Sequence, residues 1–444
     1  MRKTQLLIAL AAIGFTGAAL ATNGMNMEGY GPVATAMGGA SMAYDNGTAA
    51  VMNNPATLGL MDQGNQLDLA VGMLGPDVTS RMAGMPEAKS SGTSYFMPAV
   101  GWAKKKGELT YGIAMFAQGG MGTEYGSSSF MAAGSKKDAR SELGVGRLIA
   151  PLAYNVNPDL TIGGSIDFVW AMLDLKMAAS PAQLGAMVTG GSGALGGALA
   201  GGALGTADWA RVDFSDNSKY TGQARATGYA GKIGFTYKIS PVVTMGGVYQ
   251  SKTSLSDMET SGGGASMSAN PGHAATATFS DPGKITVHNF QWPETYGLGI
   301  SVQANPKLMI AADYKHISWS NVMKSLNMTF TSAGMGGSVD FSLPQNWKDQ
   351  NVFELGGSYK LTDALTLRAG ANIANDPIPA TYMNALFPAI EKNHYTAGVG
   401  YAVSKASDVN FSLEMAPKVS ETNASGVTSD HSQTNWQLMY SMRF

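Results

Sequence analysis

Ten residues at the end of the sequence alternate between two kinds of side chain, as in a β-strand with two different faces. The apolar face holds Trp436, Leu438, Tyr440, Met442 and Phe444, and the polar face holds Asn435, Gln437, Ser441 and Arg443, with Met439 as the exception. Successive side chains of a strand point to opposite faces. A soluble β-sandwich could use this pattern, but a terminal aromatic on such a strand resembles the assembly signal of outer-membrane barrels. We therefore expect the barrel assembly machinery to bind this strand through Phe444.

The same alternation recurs in many other segments of the chain. It is found at 67–73, 162–170, 232–239, 353–360, 365–370 and 410–415, and turn residues such as Asn157-Pro158-Asp159 and Ser240-Pro241 separate paired runs. Short turns at one end and long connections at the other are the layout of a transmembrane barrel. We predict an all-β fold, a transmembrane antiparallel β-barrel of about 14 strands, over residues 65–444. Its long extracellular loops are expected at roughly 173–222, 255–290, 320–348, 375–393 and 417–433.

Six tryptophans lie near the predicted strand ends. They are Trp102, Trp170, Trp292, Trp319, Trp347 and Trp436. Membrane barrels carry girdles of aromatic residues at both lipid interfaces, so these tryptophans are candidates for such a girdle. Alternatively they are simply wall residues or loop anchors.

The N-terminus has the three parts of a secretory signal peptide. Arg2 and Lys3 precede an apolar run over 6–20, and Ala19-Leu20-Ala21 fits the small-residue cleavage site. We predict a signal peptide over residues 1–21 and a mature chain that starts at Thr22. The alternative, an uncleaved anchor helix, is disfavoured because the apolar run is short for a membrane span.

No later segment is a good candidate for a transmembrane helix. The longest uncharged stretch includes residues 184–205, which contain nine Gly. Each Gly costs about 1 kcal/mol relative to Ala inside a helix. Because only helices and closed barrels satisfy the backbone in lipid, the exported chain is either periplasmic, secreted or a barrel in the outer membrane. Together with the strand pattern, this predicts a multi-pass barrel in the outer membrane of a Gram-negative bacterium.

Composition excludes several classes of function. The chain has no Cys and a net charge of -2, which argue against thiol chemistry, Cys-ligated zinc and nucleic-acid binding. None of the five His residues lies in a recognisable nucleophile or metal motif, and GxSxG, HExxH and Walker-type loops are missing from the sequence. We therefore expect no enzyme activity, no catalytic residues, no metal and no cofactor.

The first mature segment, residues 22–64, differs from the rest because it lacks sustained alternation. It is rich in Gly, Ala, Met and Asn, with only Glu28, Asp45 and Asp62 charged. Small residues allow close backbone packing, and polar backbone groups can pair with a polar lumen. We predict an N-terminal plug, or hatch, inside the barrel. A flexible periplasmic extension is the alternative.

Three blocks of sequence resemble the long-chain fatty acid transporter (FadL) family of outer-membrane proteins. The first joins Gly38-Gly39-Ala40 to the plug motif Asn54-Pro55-Ala56; the second is Gln291-Trp292-Pro293-Glu294 with Tyr314 to Ser320; the third runs from Asn346-Trp347 through Gly356-Gly357, Asp376-Pro377 and Gly398 to Tyr401. The resemblance covers nearly the whole mature chain. It implies a fourteen-stranded barrel with an N-terminal hatch and passive uptake of hydrophobic compounds, usually long-chain fatty acids. Relatives in this family carry aromatic hydrocarbons such as toluene.

The mature start is the candidate ligand-binding and gating segment. Met is 28 of 444 residues, and Met adapts to irregular apolar spaces. We hypothesise that Thr22, Asn23, Gly24, Met25, Asn26 and Met27 fill the ligand pocket in the empty state and shift when ligand arrives. The alternative is that the methionines only pack the plug against the wall.

A glycine-rich interruption, Gln118-Gly119-Gly120-Met121-Gly122, falls inside an alternating segment that starts near Tyr111. Gly inside a strand marks a bulge, a kink or a close backbone approach. A kinked strand at Gly119, Gly120 and Gly122 could open the wall sideways and release ligand into the bilayer, which matches the lateral exit known for the family. Otherwise these Gly residues merely bend or end a strand.

The functional prediction is passive outer-membrane transport of hydrophobic compounds, most simply long-chain fatty acids, with lateral release. Alternatives are an uptake channel for aromatic or aliphatic hydrocarbons, or a structural or adhesin barrel that transports nothing. The expected partners are hydrophobic small molecules and outer-membrane lipid, and we expect a monomer.

Overall fold

The protein is described by a computed structural model that covers residues 23–205, 207–216, 223–261, 264–270, 272 and 278–444. The predicted signal peptide, residues 1–21, and Thr22 lie outside the described residues. Within the described part of the chain, no helix is long and apolar enough to cross a membrane.

Antiparallel strands pair edge to edge in a ring that closes on itself. Among the described residues the ring contains fourteen strands: β1 (Gly64–Leu74), β4 (Tyr95–Lys106), β5 (Leu109–Tyr125), β6 (Ala139–Asn155), β7 (Leu160–Ala179), β10 (Ala224–Ser240), β11 (Val243–Gln250), β16 (Thr295–Asn305), β17 (Leu308–Ile317), β20 (Gln350–Lys360), β21 (Leu365–Ala374), β22 (Asn393–Ser404), β23 (Ser407–Thr422) and β24 (Val427–Arg443). The ring closes where β1 pairs with β24, from Gln66 opposite Arg443 to Met73 opposite Trp436. The predicted closed antiparallel barrel is confirmed.

Alternating side chains give the wall its two surfaces. On β7, Ile166 is 72% exposed, whereas the neighbouring Asp167 is fully buried. On β10, Ile233 is 64% exposed, whereas Lys232 is 5% exposed. Apolar residues therefore face outward, where lipid replaces water, and polar residues face inward, as in other membrane barrels.

Ten further strands and two short α-helices extend one end of the ring, and a third short α-helix lies in the N-terminal segment. The strands are β2 (Pro76–Met82), β3 (Ala88–Lys89), β8 (Val188–Ser192), β9 (Ala210–Asp213), β12 (Ser254–Leu255), β13 (Met258–Thr260), β14 (Ser266–Ala269), β15 (Phe279–His288), β18 (Ser325–Ser332) and β19 (Ser338–Pro344). The α-helices are α1 (Pro32–Thr35), α2 (Pro181–Met187) and α3 (Gly193–Ala200), the first of which belongs to the N-terminal segment. Short turns join the ring strands at the opposite end.

The position of one predicted loop was wrong. The expected connection over 417–433 is mostly strand, because β23 continues to Thr422 and β24 begins at Val427. Both extensions are polar on both faces, so they lack the alternation that reveals a lipid-facing strand. The connection expected at 320–348 was placed correctly between β17 and β20, and it contains β18 and β19, which pair as a hairpin.

The N-terminal segment, residues 23–63, contacts strands around the whole ring. Its α1 and two 3-10 helices (Gly47–Val51 and Pro55–Leu60) are almost entirely buried. Backbone amides and side chains of the segment bond to the wall on several sides: Thr48 to Asp68, Asn54 to the Phe235 carbonyl, Ser41 to Asp313, Gly38 to Thr396 and Thr35 to Gln437.

Wall glycines allow the segment to approach the strands closely. A Cβ atom on Gly163 would lie 2.6 Å from the Ala56 nitrogen, and one on Gly370 would meet the Gly38 nitrogen. Glycine inside a strand commonly marks such a close approach of another backbone. The inner wall is thus shaped to fit this segment.

Candidate functional site

The glycine-rich interruption of β5 is a β-bulge. The pairing of β5 with β6 shifts between Ala117 and Gly119, which leaves Gln118 as the additional residue. The additional residue shifts the pairing beyond the bulge by one position. Gly120 and Gly122 therefore lie opposite Gly144 and Glu142, respectively. The sequence correctly located this irregularity.

The wall has a break in its hydrogen bonds next to this bulge. In the described residues, β4 pairs with β5 only from Lys106 opposite Leu109 up to Val100 opposite Met115. Beyond that point β4 still pairs with β1 and β5 still pairs with β6, but β4 and β5 no longer pair with each other. Pro98 lies on this free edge of β4, where its missing N–H costs no hydrogen bond.

A small apolar cavity lies beside the break. Met97, Phe116 and Ala117 line it from the wall, and Met27 and Tyr30 line it from the N-terminal segment. The Tyr30 hydroxyl donates to the Gln118 carbonyl at the bulge (2.6 Å). Burial raises the pKa of Tyr30, so its hydroxyl stays a proton donor. This bond joins the N-terminal segment to the irregular part of the wall.

Residues 23–26 form a tight turn that pairs with the bulge. Asn23 and Asn26 exchange two backbone hydrogen bonds (2.8 and 3.2 Å), and Asn26 forms a β-bridge with Gly119. The Gly120 amide donates to the Met25 carbonyl (3.1 Å). The structure thus brings four of the predicted gating residues onto two of the predicted kink residues, while Thr22 lies outside the described residues.

Three buried tryptophans pack on the other side of the turn. Trp292, Trp319 and Trp347 form a chain of edge-to-face contacts with centroid distances of 5.6 and 5.2 Å. Trp292 Nε1 donates to Asn26 Oδ1 (2.7 Å), and a Cβ atom on Gly24 would lie 2.9 Å from Trp319 Nε1. These three are at most 3% exposed, so the prediction of a lipid-facing girdle is wrong for them.

The turn separates the tryptophans from a cavity of about 50 Å³. The cavity is lined by Asn23, Asn26, Met27, Tyr30, Met42, Met52, Asn53, Gln118, Val248, Gln250, Thr295, Lys315 and Ile317. A cavity that holds benzene measures about 150 Å³. The cavity is therefore too small for a benzene ring while the turn stays in this position.

Buried charges lie behind Gln118. Arg147 Nη1 donates to Asp167 (2.7 Å), and Lys232 donates to the same carboxylate (2.5 Å). Arg147 also donates to the Gln118 side chain. Gln118 is thus bonded both to the N-terminal segment, through Tyr30, and to this group of charges, through Arg147.

The plug motif fastens the N-terminal segment to the wall. Asn54 caps the second 3-10 helix by accepting from the Ala56 amide (3.1 Å). Its Nδ2 donates to the Met42 carbonyl (2.8 Å) and to the Phe235 carbonyl of β10 (3.0 Å). Pro55 occupies the first helical position, where no N–H is needed. Ala56 packs against Gly163, where a larger side chain would not fit.

We expect Asn54→Ala to loosen this fastening. The substitution leaves two buried carbonyls and one amide without their present partner, at a cost of about 1–3 kcal/mol for each buried group left unsatisfied. Limited proteolysis of purified barrel should then cut within residues 23–63 much faster than in the unaltered protein. Asn305→Ala, in an exposed turn, is the matched control, and equal cleavage rates in the two variants would contradict the role of Asn54.

Comparison with known proteins identifies the family. The sequence profile described as outer membrane protein transport protein (OMPP1/FadL/TodX) matches residues 8–441. The chain belongs to this family. The resemblance inferred from the three sequence blocks is therefore confirmed.

Solved structures of family members superpose closely on this chain. The P. putida toluene transporter TodX is 34% identical with a TM-score of 0.83, covering 94% of this chain and 99% of that one. The Ralstonia pickettii toluene transporter TbuX is 33% identical with a TM-score of 0.77, at the same coverage. A Pseudomonas aeruginosa FadL homologue is 16% identical with a TM-score of 0.69, covering 96% of this chain and all of that one, and shares the fold.

One curated relative matches only part of the chain. It is an uncharacterized protein of Chlorobium limicola from the 5′ region of a phosphoenolpyruvate carboxykinase gene. The two are 40% identical over 111 residues, which are 25% of this chain and 53% of that protein. The match thus spans about half the length of that relative.

Family membership and the barrel together establish the general activity. The protein is an outer-membrane transporter of hydrophobic compounds in a Gram-negative bacterium, and its relatives are channels rather than enzymes. Among the described residues, no group of three or more His, Asp or Glu is arranged to hold a metal ion.

Sequence reasoning missed the tryptophan cluster and Tyr30 as parts of the site. Trp292, Trp319 and Trp347 each stand in a motif that carries the family resemblance, which was the available signal. Their convergence depends on three connections between different strands, which the local pattern does not encode.

Proposed function

We propose that the protein takes up monoaromatic hydrocarbons such as toluene. The observation that carries this proposal is the N-terminal turn itself, which lies between a small cavity bordered by Gln118 on one side and the three packed tryptophans on the other. Aromatic rings favour edge-to-face contacts of this kind. The relatives TodX and TbuX, which are named as toluene transporters, support the same substrate class.

Long-chain fatty acids are the second candidate. Arg147 Nη2 is buried without a hydrogen-bond partner in the described structure, and a carboxylate would satisfy it. An acyl chain of sixteen carbons would however need a longer apolar space than the one beside the turn. Transfer from water to an apolar environment is favourable by about 0.8 kcal/mol per CH₂. Molecules of both substrate classes therefore gain free energy when they bind an apolar pocket.

In this proposal residues 22–64 form the plug of the barrel and residues 65–444 form its wall. The contacts of the N-terminal segment with strands around the ring support a plug that closes the direct path to the periplasm. The turn at 23–27 fills the ligand pocket, and arriving substrate displaces it. Substrate then leaves through the break between β4 and β5 into the outer membrane, because a hydrophobic molecule never needs full hydration on that route.

We further propose a signal peptide over residues 1–21, a monomeric barrel in direct contact with outer-membrane lipid, and recognition of Phe444 by the barrel assembly machinery. The exposure of Phe444 (64%) is compatible with this last proposal.

Uptake by cells that lack their own transporters of this family tests the substrate class. Cells that produce the protein should accumulate radiolabelled toluene at low concentration much faster than cells with an empty vector, and should gain little for hexane or palmitate. A gain for palmitate alone would favour the fatty-acid alternative. Equal rates for every compound, with and without the protein, would contradict transport of hydrophobic compounds through this pocket.

A further inference from the structure

The residue that follows the N-terminal turn, Glu28, is fully buried against the wall. Glu28 and Glu414 of β23 are 0% and 1% exposed, and their side chains are hydrogen-bonded to each other. The Glu28 carbonyl also accepts from Lys315 Nζ (3.0 Å). The backbone of Glu28 is therefore bonded to β17, and its side chain is bonded to β23.

Two carboxyl groups in direct contact inside a barrel cannot both be charged, so one proton lies between them. The surroundings supply too few cations to change this. The charged or titratable neighbours are Glu354, Asp313 and Lys315 from β20 and β17, His394 from β22, Glu391 from the preceding loop, His431 from β24, and Tyr30 with the more distant Arg147. Lys315 is already bonded to Glu354 (2.8 Å).

The N-terminal segment is bonded to the wall differently before and after Glu28. Before Glu28, the turn is hydrogen-bonded to the bulge of β5 and to Trp292. After it, the segment is bonded to strands around the ring. Glu28 thus stands between the part that must move for substrate to enter and the part that stays.

We propose that Glu28 is a positioning residue whose shared proton with Glu414 fastens the base of the gating turn. This inference rests on the proposed function of the turn. Removing the proton leaves two adjacent negative charges, whose repulsion releases the base of the turn. The turn should then be held less tightly as the pH rises, and a Gln at either position should hold it at every pH, because an amide N–H replaces the shared proton.

Hydrogen–deuterium exchange of the peptide that covers residues 22–30, in the purified full-length barrel, tests this directly. After correction for intrinsic rates, exchange in the unaltered protein should rise between pH 6 and pH 9, whereas Glu28→Gln should remain protected throughout. Glu28→Ala should exchange about tenfold faster at pH 6, because it leaves Glu414 without its partner. Glu414→Gln is the second conservative variant, and Glu87→Gln, an exposed carboxyl, is the control.

A Glu28→Gln variant that follows the unaltered pH profile, or a Glu28→Ala variant that stays protected, would overturn the role of Glu28. Addition of toluene to the unaltered protein separates this question from the proposed function. Toluene should speed exchange of the same peptide. If toluene has no effect on this exchange while the variants behave as expected, the role of Glu28 is supported and the proposed ligand-driven movement of the turn is wrong.

Discussion

Ala117→Trp should reduce toluene uptake by about five- to a hundredfold without preventing barrel assembly. Ala117 lines the cavity beside the break between β4 and β5, together with Met97 and Phe116. Overpacking such a site costs about 1–3 kcal/mol, which corresponds to a slowing of about five- to a hundredfold if substrate must pass there. Initial uptake rates in cells with matched amounts of folded barrel give the measurement.

Ala150→Trp is the matched control for this experiment. Ala150 lies on the exposed outer face of β6, where a tryptophan adds the same bulk to the wall but does not touch the break. Toluene binding to purified Ala117→Trp protein should be close to normal, because the pocket beside the turn is intact. Normal uptake in Ala117→Trp cells would show that substrate leaves by another route.

Deleting residues 23–27 should tighten toluene binding by about a hundredfold. The turn holds its position through the Asn26–Gly119 bridge, the Gly120–Met25 bond and the Trp292–Asn26 bond. Each such bond contributes about 1 kcal/mol net, so substrate that displaces the turn loses about 3 kcal/mol of its affinity. Fluorescence titration of the purified barrel with toluene measures the change, since Trp292 and Trp319 border the space that the deletion opens.

Asn26→Ala is the graded companion of the deletion. It removes only the side-chain bond to Trp292, so it should tighten binding by about fivefold. Heat-modifiable migration on gels should be normal in both variants, because none of the removed residues belongs to the ring. Unchanged affinity in the deletion variant would mean that the turn does not compete with substrate.

The strands were predictable because the membrane imposes a strict rule on them. Outward positions such as Ile166 and Ile233 must be apolar, and the inward neighbours Asp167 and Lys232 are polar, so period-two alternation is visible in the sequence. The rule ends where the strands leave the lipid. The upper parts of β23 and β24 were therefore mistaken for a loop.

The bulge was predictable, but the break in the wall was not. Three Gly residues near Gln118 signal an irregular strand by their lack of side chains. Which neighbouring strand loses its pairing depends on how β4, β5 and β6 meet, and only Pro98 hints at it. Likewise, Glu28 and Glu414 lie at opposite ends of the chain, and no local pattern connects them.

The tryptophans show a further limit of sequence reasoning. Position near a strand end suggested a lipid-facing girdle for all six, yet Trp292, Trp319 and Trp347 pack together in the interior. Both placements use an aromatic residue at the end of a strand. They differ only in the direction of the side chain at an irregular connection.

The route of the substrate is the central claim, and a crystal structure of the protein soaked with 4-iodotoluene tests it most directly. The anomalous signal of iodine should appear beside Trp292 and Trp319 and in the cavity lined by Met97, Phe116 and Ala117. A signal instead in the polar opening at the short-turn end of the barrel, beside Asp45, Arg368 and Arg443, would contradict lateral release.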